Sequence, residues 1–130
     1  MERRDVTWED VNRKERELTE LEDKYRHEKK LFERNEKGLY DRFREFGHLV
    51  DEEIEKMTYV LERFSVSSED MQDYFSNMEN LMLESQTVYN LQTIKLDEKQ
   101  LECEKAFRKN RDKLEEEYYQ MRKRYESSNK

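Results

Sequence analysis

The apolar residues of this chain form a pattern that mirrors itself about Val66. In the first half they recur at three- and four-residue steps, from Val11 through Leu18, Tyr25, Phe32, Leu39, Phe43, Val50, Ile54, Met57 and Leu61 to Phe64. That is the period of one helix face, and the two-residue alternation of a strand is absent. The second half shows the same steps, from Met71 through Phe75, Met78, Met82, Tyr89, Leu96, Cys103, Phe107, Leu114, Tyr118 and Met121 to Tyr125. Folding one series back on the other pairs Leu61 with Met71, Met57 with Phe75, Val50 with Met82, Phe43 with Tyr89, Tyr25 with Phe107, Leu18 with Leu114 and Val11 with Met121. The residue numbers of every pair add to 132. An antiparallel pair of helices requires such a constant sum, whereas two independent helices have no reason to match over their whole length. The fold class this predicts is all-α: a long antiparallel two-helix hairpin, coiled-coil-like, with helices over about 8–64 and 68–126.

Chain reversal is assigned to the stretch FSVSSEDM, with the turn at about 65–67. No proline breaks the pattern there. Ser67 is the candidate N-cap of the second helix, Asp70 the third-position acid, and Val66 with Met71 the hydrophobic staple. The same features open the first helix in VTWEDV, where Thr7 is the cap, Asp10 the acid, and Val6 with Val11 the staple. Each helix would be roughly 57 residues and about 85 Å long. Residues 1–130 then form a single helical-hairpin domain.

Composition agrees with long exposed helices. Charged residues make up 45% of the chain and hydrophobic ones 33%, too few for a compact globule. Eight tyrosines, six phenylalanines and one tryptophan argue against disorder. From Glu45 to Glu84 there are eleven acidic and two basic residues, a net of −9 within a total of −7. Phosphate binding needs a basic stripe, so nucleic acid is disfavoured as a partner. The acidic section either steers a basic protein or keeps the chain soluble. Cys103 is the single cysteine and suits a reducing compartment. The opening residues MERRDVTWEDV show no signal-peptide pattern, and no apolar run reaches the ~20 residues of a membrane span. These features predict a cytoplasmic protein without membrane insertion.

Two departures from a clean seam carry functional meaning. Lys14, Glu28, Asn35, Ser85, Gln92, Gln100 and Asn110 fall at or beside seam positions, where polar residues lower stability but fix register. Near the turn the apolar surface is instead too wide for one partner helix. Leu49, Tyr59, Val60, Tyr74, Leu81, Leu83, Val88, Leu91 and Ile94 lie off the seam. A second copy or another protein's helices would cover them.

No catalytic or cofactor constellation is legible. Cys103 is expected near His27, but a cysteine–histidine pair needs an orienting group and a cleft to act as a nucleophile. A small seam residue beside a surface imidazole is the simpler reading. His48 stands alone and suggests no metal. The acids of DEEIE, Asp51 to Glu55, fan around a helix rather than converge on a cation. In YQMRKRY the basic residues suit a helix C-terminus, while Tyr118, Met121 and Tyr125 suit the seam. Met71, Met78 and Met82 read as core.

The second helix resembles the LXG-associated alpha-helical proteins, small cytoplasmic partners of LXG toxins in Gram-positive type VII secretion. The likeness rests on Phe75, Met78, Met82, Glu84 and Gln86, and on KLDEKQLECEKAFRKNRDKLEEEYYQMRKR. There Glu115, Glu116 and Glu117 precede Tyr118 and Tyr119, and Arg122, Lys123 and Arg124 follow. It covers Tyr74 to Arg124 and, more weakly, WEDVNRKERELTELE. The turn has Ser65-Val66-Ser67 in place of W-x-G, and no Y-x-x-x-D/E occurs. The resemblance therefore implies an accessory partner rather than the protein displaying the export motif. It implies a non-enzymatic adaptor or targeting chaperone that binds the helical N-terminal domain of a toxin, alone or with a second small helical protein, and is retained or co-exported. Tyr59, Tyr74, Leu81, Val88 and Leu91 are the expected contact residues. Two alternatives stand beside it: a coiled-coil stalk of another export apparatus, similar to the flagellar export stalk protein, and a structural homodimer without a client.

Overall fold

The computed structural model describes residues 5–128 and consists of two helices, α1 (Trp8–Arg63) and α2 (Ser68–Ser128), packed as a helical hairpin. The expected limits hold to within two residues, because the caps are where the sequence puts them. The Thr7 hydroxyl accepts the Asp10 N–H at 3.2 Å, and the Asp10 carboxylate accepts the Thr7 N–H at 3.1 Å, a closed capping box. Val6 and Val11 close the staple beneath it, and both are buried. At the start of α2 the Ser67 hydroxyl accepts the Asp70 N–H at 3.3 Å. Glu9, Asp10, Glu69 and Asp70 also place negative charge at the positive ends of the two helix dipoles.

The turn adds a device that the sequence reading did not contain. α1 ends in a Schellman motif: the Val66 N–H bonds to the Leu61 carbonyl at 3.1 Å and the Ser65 N–H to the Glu62 carbonyl at 3.3 Å. The pattern needs a left-handed residue between helix and turn. Ser65 takes that role with φ 54°, where glycine is usual. Phe64, assigned to the seam, is instead 71% exposed. The reversal carries its ring past the last residue that α2 can cover.

Contacts divide into two compact units. A terminal unit comprises Met1–Phe32 and Glu98–Lys130, and a turn unit comprises Glu33–Asp97. Each contains a stacked cross-helix aromatic pair at the expected register. In the terminal unit Tyr25 lies on Phe107 with centroids 4.1 Å apart and planes 7° from parallel. In the turn unit Phe43 lies on Tyr89 at 4.5 Å and 17°. Such pairs add about 0.5–1.5 kcal/mol beyond their area. Burial is otherwise sparse. Among the described residues the buried hydrophobic side chains are Val6, Val11 and Val50, and α2 has none.

Candidate partner-binding face

The turn unit presents an apolar ridge beside its own seam. Take Phe75, Met82 and Tyr89 as seam positions of α2. One residue before each come Tyr74, Leu81 and Val88, and two residues after come Asn77, Glu84 and Leu91. With Asp70 these positions alternate in steps of four and three, the spacing of a second helix-binding seam. Leu81, Val88 and Leu91 are exposed and Tyr74 is half-buried, its ring edge-on to Phe75 at 5.4 Å. On α1 the same offsets from Phe43, Val50 and Met57 give Arg42, Leu49 and Lys56, and Glu45, Glu52 and Tyr59, all exposed. Four of the expected contact residues, Tyr74, Leu81, Val88 and Leu91, share one flank of α2, and the fifth, Tyr59, stands on α1. Tyr59 is 63% exposed, and its hydroxyl accepts the Arg63 guanidinium at 3.1 Å.

Val60, Leu83 and Ile94 are exposed as expected. Leu83 follows the seam residue Met82 by one position, which turns it to the opposite flank of α2. Leu31, Tyr40, Leu101 and Tyr119 are also exposed, and the apolar pattern had not singled them out. Tyr119 carries the Lys123 ammonium 4.7 Å above its ring, a one-turn pairing readable from the i, i+4 spacing.

The carboxylates around the ridge lack ion-pair partners. Among the described residues every ion pair joins residues of the terminal unit, such as Lys14 with Glu117 at 2.7 Å and Arg26 with Asp23 at 3.1 Å. None of the eleven carboxylates between Glu45 and Glu84 is in an ion pair or accepts a side-chain hydrogen bond. In the terminal unit two polar seam residues, Lys14 and Glu28, find partners across the hairpin. The Glu117 hydrogen bond raises the Lys14 pKa, and the Lys14 ammonium lowers that of Glu117.

The expected neighbour of Cys103 is corrected. His27 is exposed, and the Cys103 thiol donates instead to the Glu28 carboxylate at 2.7 Å. That hydrogen bond, with desolvation second, pushes the thiol up to about 11 from an ordinary 9.0. Such a thiol is a poor nucleophile. A shallow hollow of about 210 Å³ lies over this pair, bordered by Leu21, Tyr25, Phe107 and Asn110. Among the described residues no three His, Cys, Asp or Glu side chains converge as a metal site, and no helix is long and apolar enough to cross a membrane. No protein-family model, curated protein or solved structure matches the chain.

Proposed function

We propose that this chain is a non-enzymatic helical adaptor, a targeting chaperone that binds the helical N-terminal domain of a type VII secretion LXG toxin, stabilises it and promotes its export. The observation that carries the binding role is the α2 ridge of half-buried Tyr74 and exposed Leu81, Val88 and Leu91, spaced like a helix seam. The identity of the client rests on the resemblance of Tyr74 to Arg124 to the LXG-associated proteins. The mechanism is side-by-side helix burial, with the turn-proximal aromatics and methionines as anchors and the flanking charges selecting the partner.

The test is co-expression with the helical N-terminal domain of an LXG toxin, followed by sizing of the purified complex. A stable complex that disappears with Leu81→Ala and Val88→Ala, while the variant keeps its helical circular dichroism, supports the reading. A toxin domain that never co-purifies overturns the client assignment. A free chain that sediments as a tight dimer through this ridge points to the structural homodimer instead.

A further inference from the structure

We infer that the hairpin has a second register one heptad away, in which facing residue numbers add to seven more than 132 and α2 has slid about 10 Å along α1. The inference is independent of the client proposed above. Its origin is a conflict inside the terminal unit. In the register of the structure the half-buried Phe32 stands opposite Gln100, and the half-buried Leu21 opposite Arg111. Each sets an apolar side chain against a polar one. Arg111 pairs instead with Asp112 and Glu115 of its own helix, at 3.3 and 3.9 Å. A slide of one heptad resolves both mismatches at once. Phe32 comes opposite Phe107, Leu21 opposite Tyr118, and Arg111 opposite Glu28, which now accepts only from the Cys103 thiol across the seam. Gln100 passes to Leu39, so its own mismatch is moved rather than cured.

The turn unit is what holds the first register. There the slide takes Met71 and Phe75 off Leu61 and Met57 and draws them into the reversal. It also undoes the Schellman hydrogen bonds and the Ser67 cap, and sets Ile54 against Ser85. The terminal unit gives up the Lys14–Glu117 ion pair and the Tyr25–Phe107 stack, and gains the matched pairs above. The two units therefore favour different sums. Each helix runs unbroken from one unit into the other, so a slide in either is a slide in both. Seam residues return to matching holes after a whole heptad, which makes the change a step between two packings rather than a gradual creep. A partner that grips the turn unit in one register thereby sets the pairing near the chain ends.

Disulfide trapping in the full chain tests this, with Cys103→Ser removing the native thiol. A disulfide closes only when the two Cα atoms come within about 7 Å. Leu18→Cys with Leu114→Cys reports the first register, and Leu18→Cys with Met121→Cys the second. Leu18→Cys with Asn110→Cys, displaced from the native partner the other way, measures general looseness. Closure under a mild oxidant is followed by mass spectrometry of the monomer fraction, and each variant is checked for helical circular dichroism. The 18/121 pair is expected to close more slowly than 18/114 but at least about tenfold faster than 18/110. Met71→Ala with Phe75→Ala should speed 18/121 closure at least about tenfold, because those residues hold the first register. Arg111→Glu puts like charge opposite Glu28 in the second register alone, and should slow 18/121 closure about threefold or more with 18/114 unchanged. Closure of 18/121 no faster than that of 18/110 overturns the inference. So does 18/121 closure indifferent to Arg111→Glu, a result that stands even where the Met71→Ala, Phe75→Ala variant loses its helices.

Discussion

Ser65 shows how much a single backbone angle decides in a chain this regular. A non-glycine residue at φ 54° carries a steric cost of roughly 1–2 kcal/mol, set against the two Schellman hydrogen bonds that it permits. Ser65→Gly should therefore stabilise the hairpin by about 0.5–1 kcal/mol, the steric relief being partly offset by the greater freedom of glycine when unfolded. A higher urea midpoint with an unchanged slope would show it. Cys103 offers a chemical readout at the same scale. With its thiol held near 11 by Glu28, alkylation by iodoacetamide at pH 8 should be slow, and Glu28→Gln should accelerate it. The sign of the linkage follows. The protonated thiol stabilises the fold fully below about 9 and loses that contribution as pH rises toward about 11. The sum of 132 sets Cys103 opposite Lys29, one position from its partner Glu28, while the expected neighbour His27 lies on the other side of Glu28. A constant sum locates a facing residue only to within one position, and rotamers choose among those within reach.

The two helices were largely legible because their start signals are local. Thr7 with Asp10, and Ser67 with Asp70, are read from four residues each, and both lie where helices begin. The end of α1 was less legible. A Schellman stop normally announces itself with glycine, and here serine does the work, which is why Phe64 was placed inside the seam rather than past it. The absence of ion pairs around the ridge could not be read either. Which carboxylate meets which ammonium depends on side-chain reach at a given register, whereas the excess of acid from Glu45 to Glu84 is visible in composition. Within α1, Gly38 has an ordinary helical backbone, and a Cβ added there meets nothing within 4 Å. Gly38→Ala should raise stability by about 0.8–1 kcal/mol through helix propensity alone. Thermal or urea unfolding checks this. A neutral result would mean that the glycine has a role outside the folded hairpin.

At the scale of the whole molecule, surface area and charge tell one story. The chain exposes 10996 Å², where a compact monomer of 16.3 kDa exposes about 7,500 Å². The surplus exceeds what one partner of a standard protein–protein interface buries, about 800 Å². Charge is distributed unequally between the units. Added salt should screen repulsion in the turn unit and weaken the ion pairs of the terminal unit. Hydrogen exchange read by mass spectrometry at about 50 and 500 mM NaCl should therefore show opposite responses. Amides in Glu33–Asp97 gain protection and those of the terminal unit lose it. A uniform response would mean that charge does not set the stability of either unit.

The reversal at Ser65 has one more consequence, which concerns how chains exchange partners. Every seam pair obeys one sum, so α1 of one molecule can meet α2 of another in the register that it uses at home. No proline bars residues 64–67 from joining the two helices into one. An open chain that straightens there can lend α2 to a neighbour and take that neighbour's α2 in return, forming a domain-swapped dimer with the same contacts. The left-handed serine is what favours the closed form. Ser65→Ala keeps the steric cost of the turn and improves the straight alternative, so concentrated samples of that variant should accumulate an exchanged dimer that dilution releases only slowly.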